Sequence, residues 1–294
     1  PIILELAESE MEYCHISPQK LADWLAERLP KLEKKYGYSI PIALHADHVK
    51  HDVAGVVTAA VRAGFSSLLI DQSHATVRQN TATVRDVVSQ VHPLGISVEG
   101  EIGQINVAQQ VAKQLVGAAV WPHVPTVAQA AEFVAATGID AFAGFFGNYH
   151  GHYREPATIA WTRMKQIAKV LGRVTPPVPL VLHGTSFLRT KELDHIQVYH
   201  RAIACGCHKV NYGTMLSDIL HDQLPPELVA RMTADAGQNG EWKKMLGQYA
   251  AAIDCLSPAA KKKVVNAIAE HVAMMMRRAW RSSHKAWLYR QWTS

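Results

Sequence analysis

Residues 40–48 read Ile-Pro-Ile-Ala-Leu-His-Ala-Asp-His, an apolar run that ends in a polar cluster. A short apolar run of this kind is typical of a strand buried on both faces of a parallel sheet. Such strands rarely end in so many polar groups, so His45, Asp47 and His48 are candidates for a functional site. On this segment alone, surface charges that cap the following helix explain the pattern equally well.

Similar apolar runs recur along the chain and alternate with longer segments of helical spacing. In residues 18–36, for example, leucine and tryptophan return at steps of three and four. This alternation indicates repeated βα units around a parallel sheet. The predicted strands are Pro1–Leu6, Ile40–His45, Ser67–Asp71, Ile96–Glu101, Ala141–Phe146, Leu180–His183 and His208–Tyr212.

Polar residues lie at or just past the ends of six of these strands. In a (β/α)8 barrel the catalytic residues lie at the C-terminal ends of the strands. The polar residues are His45, Asp71, Glu101, His150, His183 and Asn211.

We therefore predict the α/β class and a (β/α)8 TIM barrel with a helical C-terminal extension. The missing eighth strand either precedes Pro1, so that the first strand is absent from this chain, or lies within Gln104–His123. Ser257 and Pro258 begin a helix by their cap pattern, which divides a catalytic domain, 1–256, from a basic extension, 257–294.

Composition narrows the class of protein. Of the 294 residues, 48% are hydrophobic and 19% are charged, which suits a globular chain with a large core. Neither a membrane-spanning run nor a basic leader is visible, and the four cysteines are scattered, so we expect a cytoplasmic protein with reduced thiols. The net charge of +5 resides in residues 261–294, which hold eight of the 30 basic and one of the 25 acidic residues.

Two further segments each place a histidine and a glycine after a strand, namely residues 147–153 and 180–186. A single loop histidine is more often structural than functional. Three histidines from distant strands, however, suit a catalytic zinc ion with three protein ligands and one open position. His48, His150 and His183 are the residues in question.

Residues 1 to about 215 resemble the zinc-dependent class II fructose-bisphosphate aldolase family as a divergent member. The motifs match in order. His-Ala-Asp-His resembles the family's His-Leu-Asp-His, and Leu-His-Gly-Thr-Ser-Phe resembles its Leu-His-Gly-Gly-Ser-Gly. The matching segments are His45–His48, Ser67–His74, Val98–Gly103, Leu182–Phe187 and Lys209–Thr214.

The resemblance implies reversible cleavage of a ketose (bis)phosphate, fructose 1,6-bisphosphate above all, to dihydroxyacetone phosphate and an aldehyde, as in glycolysis and related carbohydrate metabolism. One zinc ion per chain would polarise the ketose carbonyl and stabilise the enediolate, with other divalent metals and an added monovalent cation as further candidates. Asp47 would transfer the proton. The implied metal ligands are His48, His150 and His183, with Asp71 and Glu101 at an alternate position or orienting the ligands. Phosphate would bind Gly151, Arg154, Gly184, Ser186, Asn211 and Thr214, and Arg278 or Arg281 would reach the distal phosphate.

Departures from the family pattern raise further hypotheses. The family's loop glutamate, which acts as an acid, has no counterpart in Gln104–Gln110, and Thr185 and Phe187 replace glycines that line the phosphate site. These larger side chains are expected to crowd that site. Either one of the glutamates in the acidic segment Glu8–Glu12 replaces the missing acid, with Glu8 and Glu10 as the residues to test, or the substrate lacks a second phosphate.

Other functions remain open at this point. The chain could act on another ketose phosphate, such as a tagatose-type, deoxy or acidic sugar, or could use Lys209 as a Schiff-base nucleophile without a metal. It could also be a non-catalytic barrel whose basic, aromatic tail binds a protein or, less favoured, nucleic acid. Burial of that tail in a homodimer or homotetramer is the simpler expectation. Its aromatic residues are Trp280, Trp287, Tyr289 and Trp292.

Overall fold

A computed structural model describes residues 2–103, 117–237 and 240–285. Seven strands are present in these ranges, one for each predicted strand, and they lie in the sheet in chain order. This order is the one that repeated βα units produce. The strands are β1 (Ile2–Ala7), β2 (Ile42–Val49), β3 (Ser67–Ile70), β4 (Ser97–Ile102), β5 (Ala141–Gly144), β6 (Leu180–Leu182) and β7 (Cys207–Val210). The α/β class with a parallel sheet is confirmed.

Helices follow the strands as the spacing predicts, and the helical segment 18–36 forms a helix from end to end. Side chains at their N-caps accept the first free amide groups, as Ser17, Thr126 and Ser257 do. Within the described ranges the α-helices are α1 (Glu8–Tyr13), α2 (Pro18–Tyr36), α3 (Val53–Arg62), α4 (Val77–Val91), α5 (Val127–Thr137), α6 (Trp161–Leu171), α7 (His195–Ala204), α8 (Thr214–Gln223), α9 (Pro226–Ala236), α10 (Ala250–Asp254) and α11 (Pro258–Arg278). Short 3₁₀ helices are His92–Leu94, Gly117–His123 and Trp242–Met245.

Two compact units are formed along the chain. The first takes Pro1–Ser67 and Leu216–Ser294. In it, β1 and β2 pair in parallel, with Glu5 opposite His45 and Ala7 opposite Asp47. The later helices of this unit pack around a separate apolar cluster. It consists of Leu224, Leu228, Val229 and Met232. The predicted division at residue 256 stays a prediction.

The second unit, Leu68–Met215, contains β4–β7 and the helices between them. Its core consists of large apolar side chains removed from water, which supply most of the driving force for folding. These include Leu68, Leu69, Ile70, Phe142, Phe146, Met164, Ile167, Leu171, Leu180 and Leu182. The parallel register sets Glu99 opposite Ala141 and Val181 opposite Lys209.

Two expectations from the sequence, an eighth strand and an aromatic tail, concern segments that the structure describes only in part. Of the stretch in which an eighth strand was one alternative, residues 104–116 lie outside the described residues, and Gly117–His123 form a 3₁₀ helix. Trp287, Tyr289 and Trp292 of the tail also lie outside them. Among the helices in the described ranges, none has the length and apolar character to cross a membrane.

Candidate active site

Asp47 lies on β2 between two histidines. Its Oδ1 is 3.6 Å from Nε2 of His45, and its Oδ2 is 3.8 Å from Nε2 of His48. His45 is fully buried, and its Nδ1 lies 2.7 Å from the hydroxyl of Ser67. His48 has a φ of 45°, a left-handed conformation that is rare for residues other than glycine. Strained backbone of this kind concentrates at functional sites, which motivates a functional hypothesis for the segment.

Glu8 supports the turn that follows His48. Its buried carboxylate accepts hydrogen bonds from the backbone amides of Lys50, His51 and Asp52, at 2.6, 2.9 and 2.7 Å. Burial by itself raises the pKa of Glu8, but the hydrogen bonds from these amides outweigh burial and lower it below the ordinary value. A carboxylate held ionised in this way cannot donate a proton near neutral pH, so Glu8 does not suit the role of the missing loop acid.

Glu10 has the opposite electrostatic environment. Burial, and to a smaller extent the negative charge of Asp47, raises the pKa of Glu10 despite a nearby Lys243. The carboxylate accepts a hydrogen bond from the amide of Ala7 at 3.0 Å and one from the hydroxyl of Tyr13 at 3.4 Å. Of Glu8 and Glu10, Glu10 is therefore the better candidate for a group that carries a proton.

In the second unit, His150 and His183 come together from the ends of β5 and β6. One nitrogen of each ring lies within 4.8 Å of the other, and the ring centroids are 6.0 Å apart. Asn148 joins their segments, because its side chain donates to the carbonyl of His183 at 3.0 Å and accepts from the amide of Phe146 at 2.8 Å. Asn148 was not singled out from the sequence, although it lies inside the segment that supplies His150.

A glycine is required beside His183. Gly184 has a φ of 62°, and a β-carbon at this position would overlap the carbonyl of Tyr149. Only glycine adopts this conformation without cost and leaves room for the neighbouring chain. The close approach of the two histidine segments thus depends on the His-Gly pair that the sequence displays.

A carboxylate pair forms a second candidate group. Oxygen atoms of Asp71 and Glu101 lie within 4.8 Å of each other, and each residue is 1% exposed. Asp71 accepts hydrogen bonds from the amide of Ser73 at 3.2 Å and from its hydroxyl at 2.6 Å. Asn80, which no sequence pattern indicated, donates to the backbone carbonyl of Glu101 at 2.8 Å. Oxygen donors of this kind could hold a divalent ion or orient ligands to one.

Glu99 links a candidate ligand to a lysine. One carboxylate oxygen lies 2.7 Å from Nε2 of His183, and the other accepts from Nζ of Lys209 at 2.9 Å. Glu99 is 2% exposed, so the ion pair is shielded from water. This contact engages the Lys209 side chain with a carboxylate, whereas a Schiff base needs a free amine, so it weakens the Schiff-base alternative for Lys209.

Comparison with known proteins identifies the family of the chain. The family model for class II fructose-bisphosphate aldolase matches residues 1–281. The chain belongs to the class II fructose-bisphosphate aldolase family.

Solved structures of aldolases share the fold. The YdjI aldolase from Escherichia coli K12 is 21% identical, with a TM-score of 0.64 over 95% of this chain and 81% of that one. The fructose-bisphosphate aldolase from Campylobacter jejuni is 16% identical, with a TM-score of 0.62 over 95% of this chain and 82% of that one. At these identities the likeness shows the fold, and it supports the barrel-type α/β architecture predicted from the sequence.

The two residues that replace class II aldolase glycines differ in their surroundings. Thr185 is fully buried, and its hydroxyl donates to the carbonyl of Asn211 at 2.7 Å. Thr185 therefore contacts Asn211, a predicted phosphate-binding residue, and crowding of the phosphate site by Thr185 stays a prediction. Phe187 stacks on the ring of His152, with centroids 4.6 Å apart.

The remaining predicted substrate contacts occupy varied environments. Ser186 and Asn211 are buried, and Gly151 has a φ of 89°. Thr214 begins α8, whereas Arg154 is exposed. In the first unit, Arg278 ends α11 and Arg281 follows it, both exposed. The loop that would carry the aldolase acid, residues 104–110, lies outside the described residues.

Proposed function

We propose that this class II aldolase family member is a metal-dependent lyase that cleaves a ketose (bis)phosphate, with fructose 1,6-bisphosphate as the first substrate to test. The products would be dihydroxyacetone phosphate and an aldehyde. The observation that carries the proposal is the close pair of imidazoles, His150 and His183, in a chain that also places Asp47 beside a third histidine, His48. The family supports aldolase chemistry, and the donor atoms support a metal.

The residues fit a zinc ion by the chemistry of their donors. Imidazole nitrogen is the commonest zinc ligand in catalytic sites of this kind, and three protein ligands leave a position open. His48, His150 and His183 would hold the ion, with Asp71 and Glu101 as carboxylates for an alternate position. When bound, the ion would polarise the ketose carbonyl.

The other proposed roles belong to this chain's own groups. The carboxylate of Asp47 would accept the proton of the substrate hydroxyl as the carbon–carbon bond breaks, and would return it in the reverse direction. The phosphate would bind at Gly151, Arg154, Gly184, Ser186, Asn211 and Thr214, whose amides, hydroxyls and positive charge suit an anion. Arg278 or Arg281 is proposed for the second phosphate.

Metal removal tests the proposal directly. We expect about one zinc ion per chain and a loss of cleavage of roughly tenfold or more after EDTA, restored by added zinc. Metal content and fructose 1,6-bisphosphate cleavage would be measured on the same preparation before and after chelation. EDTA-resistant cleavage would contradict the metal mechanism, and borohydride trapping of Lys209 would then test the Schiff-base alternative.

Glu10→Gln tests the replacement acid. Because burial raises the pKa of Glu10, the group keeps its proton to a higher pH than an ordinary carboxyl, and its contribution as an acid is lost as pH rises through that pKa. We expect the substitution to lower kcat by about 10- to 100-fold and to remove this dependence from the pH profile. Glutamine preserves the helix cap made with Ala7. Glu12→Gln, at an exposed position on α1, is the control. An unchanged pH profile would exclude Glu10 as the acid.

A second candidate function is cleavage of a different ketose phosphate. The stacked pair of His152 and Phe187 favours it, because Phe187 stands where the family has a glycine next to the phosphate site. A panel of ketose mono- and bisphosphates, including tagatose 1,6-bisphosphate, would be assayed with the zinc-loaded protein. A kcat/KM at least about tenfold above that for fructose 1,6-bisphosphate, a difference of about 1.4 kcal/mol, would assign this function instead.

Several expectations remain predictions beside this proposal. They are the homodimer or homotetramer, the cytoplasmic location, the monovalent cation, and the alternative of a tail that binds protein or nucleic acid. Size-exclusion chromatography with light scattering would measure the number of subunits.

A further inference from the structure

We propose that Glu99 and Lys209 form a brace that fixes the ring of His183 for metal binding, and that both act as positioning residues of the aldolase. The inference rests on the proposed metal function and adds two residues to it. Neither of them would touch the metal or the substrate. They would act through the imidazole of His183, to which Glu99 is bonded.

The sheet register allows Glu99 to reach His183. Residues paired across parallel strands point to the same face, so Glu99 shares a face with Ala141 of β5. The pairing of Val181 with both Ala143 and Lys209 places β6 and β7 side chains on that face too. Because the β5 residues on this face are Ala141 and Ala143, β5 places no large side chain between Glu99 of β4 and the later strands.

Hydrogen-bond chemistry then fixes the tautomer of His183. An ionised carboxylate only accepts hydrogen bonds, so the proton of the 2.7 Å contact belongs to Nε2 of the ring. A neutral imidazole with its proton on Nε2 presents the lone pair of Nδ1. The brace therefore assigns Nδ1 as the atom that His183 offers to the ion, and Glu99 holds the ring in the matching orientation.

The ion pair with Lys209 offsets the free-energy cost of burying the Glu99 carboxylate. A lone buried charge is costly, whereas a paired and hydrogen-bonded one is compensated. Nζ of Lys209 lies 2.9 Å from Oε2 of Glu99, whereas His183 contacts Oε1, and the Lys209 side chain is 14% exposed. Each oxygen of Glu99 thus has its own partner, and the three side chains form one connected network.

Zinc affinity tests the brace without relying on turnover. Affinity would be measured by competition with a chromophoric chelator on metal-free protein, at a temperature where circular dichroism shows each variant folded. We expect Glu99→Gln to weaken zinc binding by about 10- to 100-fold and to change the visible absorption of the cobalt-loaded protein. Lys209→Met should also weaken binding, and the double variant should lose less than the two single losses combined.

Glu27→Gln is the matched control. It removes a glutamate ion-paired with Lys31 at 3.1 Å on the exposed surface of α2, and zinc affinity should not change. Wild-type affinity in Glu99→Gln, within about twofold, would overturn the brace while leaving the proposed function intact. Failure of the wild-type protein to bind zinc at all would overturn the proposed function and the brace with it.

A measurement on the metal-free wild-type protein covers the case in which the variants do not fold. The nitrogen chemical shifts of His183, assigned by their loss in His183→Asn, report which ring nitrogen carries the proton. We expect the proton on Nε2. A proton on Nδ1 would overturn the brace whatever the variants do.

Discussion

Asp47→Asn is expected to lower kcat for ketose cleavage by about 10²- to 10⁴-fold, the usual contribution of a general acid–base group. Asparagine preserves the size of the side chain beside His45 and His48 but cannot accept a proton. Zinc content should therefore stay at the wild-type value while turnover falls. Steady-state cleavage and metal analysis on the same preparation would measure both.

Asp52→Asn is the control for this substitution. Asp52 lies five residues further along and caps α3 by accepting a hydrogen bond from the amide of Gly55 at 3.0 Å. Asparagine is an equally good cap, so both stability and turnover should be retained. If Asp47→Asn kept its turnover within about threefold of wild type, Asp47 would not be the proton-transfer group.

Glu8→Ala is expected to give the largest loss of stability. It would remove the acceptor shared by the amides of Lys50, His51 and Asp52. A buried donor left without its partner costs about 1–3 kcal/mol, so we expect the free energy of unfolding to fall by about 3 kcal/mol or more. Urea denaturation followed by circular dichroism would measure it. Glu12→Ala, on the exposed side of the same helix, should change the free energy by less than about 0.5 kcal/mol.

The stabilisation by Glu8 should also depend on pH. Because the pKa of Glu8 is lowered in the folded state, its contribution is present above the ordinary value of 4.5 and is lost as pH falls through the folded-state pKa. The difference in unfolding free energy between wild type and Glu8→Ala should therefore shrink in acid. A difference that stays constant from neutral pH down to pH of about 3 would show that the carboxylate charge is not what stabilises this turn.

The strands could be predicted because each is a short apolar run with its own local signal, and β1 to β7 follow those runs within a few residues. Their ends are less predictable. β2 continues through the polar residues to Val49, because pairing with β1 extends along the whole segment as far as Asp47. Helix α1 was not predicted from its acidic sequence, since its first turn depends on the bond from the amide of Ala7 to Glu10.

The candidate site was predictable only in part, because its residues depend on partners that are distant in the sequence. Histidines and carboxylates at strand ends are visible in the sequence, but the partners that hold them are distant along the chain. Glu8 reaches amides 42 to 44 positions away, and Glu99 reaches a lysine 110 positions away. No local pattern encodes such contacts, because they depend on the sheet register and on small residues such as Ala141 between the partners.

Asn148 has a consequence for the rate of ion capture. By bonding to the carbonyl of His183 and the amide of Phe146, it restrains the two imidazole-bearing segments before any ion arrives. A preorganised pair of ligands loses little conformational entropy on binding, so neither segment has to be ordered during the encounter. We therefore expect the loading rate to be set by diffusion and ion dehydration, and loading and unloading to leave the backbone at this end of β5 and β6 almost unmoved.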